Sequence, residues 1–493
     1  MDRQALFSKI AGSLMAGALG DALGYEVEFQ SWPTIRENYG PGGIRQLALE
    51  NGKARISDDT QMTLFTNEGL ILGYHHAAAE GIALDAAHAL YPAYLCWLKT
   101  QFDHALTSAW AAESELMRVP GLFAARAPGN TCLAALESGN MGTVEQPINH
   151  SKGCGGVMRA APVGYPAAGV DPLKDGAACA AITHGHPGGW APAAMLADLV
   201  HRILYGPAAD LEQQVQQSLT AVQAAWHGEA IDDFAFLVRE AILLSHSSVP
   251  DVEAIHSLGG GWVGDEALAI ALFSCLKHPD SIPDALISAV NHSGDSDSTG
   301  AIAGNILGAK LGLDALPQQW IDQLELTDTI LREAECMTDL AMGQLAPAAS
   351  REVDAARALA QARHQGQLDK AGLPYISHPQ RVAERMTAPE EQVVAWLHDT
   401  VEDTGLTIPE IEARFGPVTA AAVDAISRRD GEAWEDYLDR VRANPLARQV
   451  KISDLIDNSN LSRLEHITMK DVLRQAKYNQ ALQYLMSSSF VAF

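Results

Sequence analysis

Two short runs of hydroxyl and carboxylate side chains, Ser57-Asp58-Asp59 and Asp295-Ser296-Asp297-Ser298, lie far apart in the chain. Each directly precedes a segment of helical character, QMTLFTNEGLILG in the first case and a run with a glycine every fourth residue in the second. Serine and aspartate at such places commonly cap free backbone N–H groups. If the two runs converge, their oxygens also make a site for one or two hard cations, Mg2+ or Mn2+. A third constellation has a different donor set. His398-Asp399 places imidazole beside carboxylate, and with His364 upstream and Asp454 downstream it forms a four-ligand set suited to Mn2+ or a similar divalent ion. Glu402 and Asp403 follow one helical turn later, where they can activate an attacking water. The loop Gly153-Cys154-Gly155-Gly156-Val157-Met158-Arg159 offers backbone N–H groups and a guanidinium, a cradle for a diphosphate.

The elements that must hold these groups read as helices. Ala- and Leu-rich stretches of helical period alternate with Pro/Gly loops, and aromatic residues make up only 6% of the chain, so an all-α fold is expected. Gly17, Gly20 and Gly24 share one face of the first helical stretch, and Gly300, Gly304, Gly308 and Gly312 form a ridge on a late one. Glycine is a poor helix former, so these positions call for close packing to offset the cost. At 493 residues the chain exceeds one core. The pattern breaks at APAAS, which predicts a large domain over 1–347 and a small one over 351–493.

A formal net charge of −27 argues against a nucleic-acid duplex as partner, since an acidic surface repels phosphates. It leaves room for single nucleotides held by metal ions. The six cysteines form no CxxC pair, and no long apolar run or signal-peptide pattern is seen, so the expectation is a cytoplasmic protein that does not enter membranes.

Taken in order, GALGDALGYEVEF, SDDTQMT, GCGGVMRAAPVG, THGHP and GDSDSTG resemble the ADP-ribosylglycohydrolase family over about residues 8 to 345. The resemblance implies an all-helical domain with two Mg2+ ions that removes ADP-ribose from modified side chains such as arginine or serine. It implies Ser57, Asp58, Asp59, Asp295, Asp297 and Ser298 as metal ligands. Glu28, Asp59 and Asp297 take catalytic roles, Glu28 positioning or activating water. Asn130, Gly155, Gly156, Arg159 and His184 contact the ligand, with a buried structural role for His184 equally open. Asp21 and Glu26 compete for roles near Glu28, Asp21 being favoured as a structural cap.

ARHQGQ, PYISHP, WLHDTVEDT and VKISDLIDN resemble the hydrolase domain of stringent-response enzymes and the small alarmone hydrolases, which remove the 3′-pyrophosphate of ppGpp- or ppApp-type alarmones. By that resemblance His364, His398, Asp399 and Asp454 bind Mn2+, Glu402 and Asp403 are catalytic, and Asn458 contacts the nucleotide. His378 is read as a structural helix-start residue. Arg363 and Lys451 either neutralise phosphates or solvate a face. Asp369-Lys370 and Leu455 depart from the family pattern, which leaves the base preference open. The whole chain is thus expected to be a bifunctional metal-dependent hydrolase acting on an ADP-ribosylated protein or small molecule and on alarmones, in a detoxifying or antitoxin role. The alternative is a nucleotide sensor or immunity-type protein in which one domain binds without turnover.

Overall fold

The computed structural model describes the chain except residues 103–107, 208, 344–347, 369–371, 387, 430, 461–467 and 487–493. It is all-α. Among the described residues β structure is limited to isolated bridges, such as Gly153 with Val263. Two compact units are present, Met1–Leu345 and Ala346–Phe493, each with its own hydrophobic core.

The first unit is built around two helices, Arg3–Tyr25 and Ser296–Leu311. Neither is amphipathic in the usual sense, because the first is buried without interruption from Ile10 to Gly24 and the second from Ser296 to Ala309. Their glycines are what allow this. The helices meet backbone to backbone: a methyl group on Gly304 would lie 2.0 Å from the Ala16 carbonyl oxygen, and one on Gly308 would lie 2.1 Å from that of Gly12. Such an approach leaves polar groups near each other, and the exchange of Ser13 Oγ to Asn305 O (2.7 Å) and Asn305 Nδ2 to Ser13 O (2.9 Å) satisfies them. The same crossing sets Gly24 against the Ser296 carbonyl, so the end of one helix abuts the start of the other.

A third helix, Asp58–Glu80, is also buried along most of its length. Its first turn is capped twice. Ser57 Oγ accepts from Asp59 N at 3.2 Å, and the buried Asp21 carboxylate accepts from Ser57 N (2.9 and 3.0 Å) and Thr60 N (3.1 Å) as well as from the Thr60 hydroxyl. Asp21 is therefore a cap, but for a helix other than its own.

The second unit packs Ala348–Arg363, Ser377–Ala383, Pro389–Leu397, Ile408–Ile426, Trp434–Ala443, Pro445–Asn458 and Met469–Met486 around Val394, Leu397, Ile411, Val423, Val441 and Val450. One sequence expectation is corrected here. His398-Asp399 does not lie within a helix: His398 caps the C-terminus of Pro389–Leu397, and Asp399 precedes the one-turn helix Thr400–Thr404. Across this break His398 Nε2 and Asp399 Oδ2 face each other at 3.1 Å.

Because the Gly304 contact is with backbone, which cannot rotate away, Gly304→Ala is expected to cost about 3 kcal/mol or more of stability. Chemical denaturation monitored by circular dichroism checks this.

Candidate active sites

In the first unit, the helix crossing brings the two acidic runs to one place. Glu28, Asp295 and Asp297 each present an oxygen within 4.8 Å of the others, and all three are buried. Glu28 arrives from the turn that follows the Arg3–Tyr25 helix, and Asp295 and Asp297 from the start of Ser296–Leu311. Asp58 and Asp59 approach from the start of their own helix, close enough for mutual repulsion with Asp295.

Some of these oxygens have protein donors. Asp58 Oδ2 accepts from Gly129 N at 3.2 Å, Asp295 Oδ2 from the Cys154 thiol at 2.8 Å, and Ser298 N donates to Asp295 Oδ1 and Asp297 Oδ1 at 3.2 and 3.0 Å. Glu28 Oε2 and Asp59 Oδ2 are buried with no hydrogen-bond partner. Burial, reinforced by the neighbouring carboxylates, pushes Glu28 up to about 8 and Asp58, Asp59 and Asp297 well above the usual carboxylate range. So many like charges cannot all ionise in a low-dielectric site without a counterion. An all-oxygen donor set with orphaned carboxylate oxygens fits a hard divalent cation such as Mg2+.

The remaining sequence candidates sit around this cluster in different ways. Ser57 is fully buried, with Oγ on Asp59 N. Ser298 lies beside the cluster through its backbone N–H. Asn130 is exposed at the start of Asn130–Glu137 and lines a cavity of about 810 Å³ with Thr131, Asn149 and Ser151. Gly155 and Gly156 form a buried one-turn segment; a methyl on Gly155 would meet Cys132 Sγ at 2.9 Å and one on Gly156 would meet Ala180 Cβ at 2.8 Å.

Arg159 is a correction. Its guanidinium does not reach a diphosphate cradle but is fully buried, 4.1 Å above the Tyr94 ring, with Nη2 donating to Thr183 Oγ1 (2.8 Å) and Cys179 O (3.1 Å). A planar cation over an aromatic face, with hydrogen bonds at its edge, is a packing solution. His184 is buried as well, Nδ1 on Thr183 Oγ1 at 2.8 Å, and burial lowers its pKa to about 3, so it is a neutral core imidazole behind the glycine turn.

In the second unit, His378, His398 and Asp454 converge within 4.8 Å and are buried. His398 Nε2 lies 3.1 Å from Asp399 Oδ2 and 3.8 Å from Asp454 Oδ1; His378 Nε2 lies 3.1 Å from Asp454 Oδ1 and 3.5 Å from Asp399 Oδ2. Neither Nε2 makes a well-directed hydrogen bond. Burial opposes charge on His398, but Asp399 and Asp454 outweigh it and raise its pKa well above the usual value. Two imidazoles and the Asp454 carboxylate converging on one point, with Asp399 Oδ2 beside both imidazoles, fit Mn2+ or a similar ion.

His378 thus stands where His364 was expected. His364 is buried too, but its Nδ1 pairs with Gln367 Oε1 at 2.7 Å and it is not among the converging residues; the Tyr375 ring packs against both histidines, with centroids 5.0 Å from His364 and 5.9 Å from His378. The signal in the sequence was PYISHP: a histidine followed by proline was read as a helix start, which it is, while the ligating geometry comes from how that helix docks. Tyr375 was also missed; its hydroxyl donates to Asp399 Oδ2 at 2.7 Å.

Glu402 and Asp403 are exposed on the short helix beside Asp399, and Glu402 Oε1 accepts from Arg428 N at 2.6 Å. Asn458 Nδ2 donates to Asp454 Oδ1 at 2.6 Å, a contact with the cluster. Lys451 pairs with Asp454 Oδ2 at 2.9 Å, Arg363 with Glu410 at 3.3 Å, and Leu455 is in the core. Asp369-Lys370 lies outside the described residues.

Residues 2–352 match the family described as ADP-ribosylglycohydrolase, and residues 356–447 match the HD domain. The chain belongs to the ADP-ribosylglycohydrolase family and carries an HD domain behind that portion; it is a hydrolase. It is 26% identical over 337 residues to the ADP-ribosyl-[dinitrogen reductase] glycohydrolase of Rhodospirillum rubrum, covering 66% of this chain and 93% of that protein. It is 28% identical over 199 residues to human ADP-ribosylhydrolase ARH3, covering 36% and 54%. The second unit is similar to the guanosine-3′,5′-bis(diphosphate) 3′-pyrophosphohydrolase of Aquifex aeolicus, with 34% identity over 124 residues, which is 23% of this chain and 18% of that protein. Asp454 lies beyond the matched HD interval and joins the site through the fold.

Two outcomes are expected. Mg2+ at about 100 times its dissociation constant stabilises the wild type by about 2.7 kcal/mol, and Asp297→Ala loses that gain; differential scanning calorimetry reads both. His378→Ala weakens Mn2+ binding by the second unit roughly 100-fold, whereas His364→Ala changes it less than about tenfold, as measured by titration calorimetry.

Proposed function

We propose that the first unit cleaves the bond between ADP-ribose and a modified protein side chain, and that the second removes the 3′-pyrophosphate of (p)ppGpp- or (p)ppApp-type alarmones. The observation that carries this reading is the pair of buried clusters in which Glu28 Oε2 and Asp59 Oδ2 in one, and the Nε2 atoms of His378 and His398 in the other, lack protein hydrogen-bond partners, each donor set matched in softness to a divalent ion. Relatives that act on ADP-ribosylated dinitrogen reductase and on guanosine 3′,5′-bis(diphosphate) support the substrate classes.

In the first unit, Asp58, Asp59, Asp295 and Asp297, with Ser57 and Ser298 beside them, would hold two Mg2+ ions. Metal ions held there would supply Lewis-acid polarisation of the ribose hydroxyls. The protein's own part is to orient and to move a proton. Glu28 comes from a turn and has an unpartnered Oε2, so it can hold a water at the anomeric carbon and take its proton as the bond to the leaving group breaks. The buried walls exclude bulk water from this exchange.

In the second unit, His378, His398, Asp399 and Asp454 would hold Mn2+. Lys451 and Asn458 fix Asp454, and the Tyr375 hydroxyl fixes Asp399, so the carboxylates are pre-oriented. Glu402 has one oxygen on Arg428 N and a second available to accept a proton from water. Asp403, next to it on the same exposed turn, can order the attacking water or the departing pyrophosphate's hydration. The proposed setting is the cytoplasm, in a detoxifying or antitoxin-like role; among the described residues no helix is long and apolar enough to cross a membrane.

The test is a matched turnover assay. Wild type, Asp297→Ala and Asp399→Ala are offered ADP-ribosyl-arginine and ADP-ribosyl-serine peptides, ppGpp and ppApp, with Mg2+ or Mn2+. Each substitution is expected to lower its own unit's rate roughly 100-fold or more and leave the other within about twofold. Wild-type protein that binds these ligands with both metals present and turns over none of them would refute the proposal.

A further inference from the structure

Asp457 sits one turn after Asp454 on the Pro445–Asn458 helix, so the two carboxylates project from the same side of it. They nevertheless meet His378 from opposite edges of its ring. Asp454 Oδ1 faces Nε2 at 3.1 Å, whereas Asp457 Oδ2 faces Nδ1 at 2.8 Å. Asp457 is therefore not a member of the converging cluster, although spacing alone would allow it. Both of its oxygens are engaged on the far side: Oδ1 accepts from Arg381 Nε at 2.9 Å and Arg385 Nη2 at 3.3 Å, and Oδ2 accepts from Arg381 Nη2 at 2.9 Å as well as from His378.

The consequence follows from the chemistry of imidazole. A neutral ring carries one proton, and only the nitrogen without it can ligate a cation. A carboxylate has no proton to give, so opposite Nδ1 it accepts one and holds the ring in the Nδ1–H form. Nε2 is then free on the edge that faces Asp454, Asp399 and His398. Arg381 makes this arrangement one-sided. Its fork spans both oxygens of Asp457 and, with Arg385 on Oδ1 and Nδ1 of His378 on Oδ2, favours the ionised carboxylate, and Arg381 stands three residues after His378 on the Ser377–Ala383 helix. Histidine and clamp thus move as one body. The Asp457 side chain is 2% exposed and that of His378 7%, so bulk water has little access to Nδ1.

We propose that Asp457 is a positioning residue for the second unit: held by Arg381 and Arg385, it fixes the tautomer and orientation of His378 so that Nε2 is presented to a divalent cation. This rests on the reading of His378, His398, Asp399 and Asp454 as a metal site. It goes further in assigning a residue that is not a ligand, and in separating it from Asp454, with which it shares a helix face. Asparagine is the discriminating substitution. It keeps the shape, but it has one oxygen and one NH2 group. With the oxygen turned to the two guanidinium groups, its NH2 points at Nδ1 and drives the proton to Nε2, where it blocks the cation.

The experiment uses the full chain with Asp59→Asn and Asp297→Asn, so that the second unit's ion is read alone. Mn2+ affinity is measured by the electron paramagnetic resonance signal of free Mn2+, and the metal-free melting temperature by circular dichroism. Asp457→Asn is expected to weaken Mn2+ about 10- to 100-fold while the metal-free melting temperature stays within a few degrees. Arg381→Met removes the main clamp but leaves the carboxylate on Nδ1, and it is expected to lower the melting temperature while weakening Mn2+ less than about threefold. Asparagine binding Mn2+ as tightly as aspartate overturns the proposal, as does Arg381→Met matching the asparagine variant, since Asp457 would then serve only to dock two helices. If the parent chain takes up no Mn2+, the metal reading itself has failed. If the parent binds and the asparagine variant binds equally, only the role of Asp457 has failed.

Discussion

The first unit depends on two helices being able to touch through their backbones. Arg3–Tyr25 and Ser296–Leu311 cross where Gly12, Gly20, Gly24, Gly300, Gly304 and Gly308 remove the side chains that would hold them apart. A pair of helices normally keeps 8–10 Å between axes because its side chains occupy the gap. Here that gap is closed, and the consequence is chemical as much as mechanical. The start of the second helix is pressed against the end of the first, so Asp295 and Asp297 are delivered to Glu28, residues that the chain itself separates widely. Cavity-forming or overpacking changes along this seam act on the carboxylate cluster although they touch none of its members.

Charge is the second constraint, and the two sites meet it in opposite ways. The first is all carboxylate, with no histidine or lysine in the cluster, so burial and mutual repulsion raise the acids. The second mixes acids with imidazoles and Lys451, and there the carboxylates outweigh burial to raise His398 while Asp454 is held well below its usual range. Both charge patterns are ones that a divalent cation would relieve. They differ in softness: oxygen donors alone suit Mg2+, whereas nitrogen with oxygen suits Mn2+ and its neighbours. In each case side chains outside the cluster hold its acidic residues in place, Asp21 through the helix cap before Asp58 and Tyr375 through Asp399.

Several roles assigned by residue type changed once the packing was known. Arg159 follows a glycine turn and carries the charge a phosphate wants, yet its guanidinium is spent on Tyr94, Thr183 and Cys179 in the core. His364 and His378 are both buried histidines ahead of the His398-Asp399 pair. The choice between them turns on docking: His378 presents Nε2 to Asp454, whereas His364 pairs through Nδ1 with Gln367. Asp454 and Asp457 look interchangeable on a helical wheel, and only the position of the imidazole between them assigns different tasks.

What the sequence determined by itself was whatever rests on composition, local pattern and adjacency. Helical period, the scarcity of aromatics and the glycine ridges indicated an all-α protein with a close helix crossing, and Ser57-Asp58-Asp59, Asp295–Ser298 and His398-Asp399 are chemically legible as short runs. These signals need no knowledge of distant contacts, because a helix start or a pair of neighbouring ligands is encoded within a few residues. Tertiary structure decided which edge of a side chain meets which partner: Glu28 toward Asp295, His378 rather than His364, Arg159 inward, Asp21 onto another helix. The physical reason is that a side chain's direction follows from how its helix docks and rotates in the core, and docking is settled by packing over the whole unit.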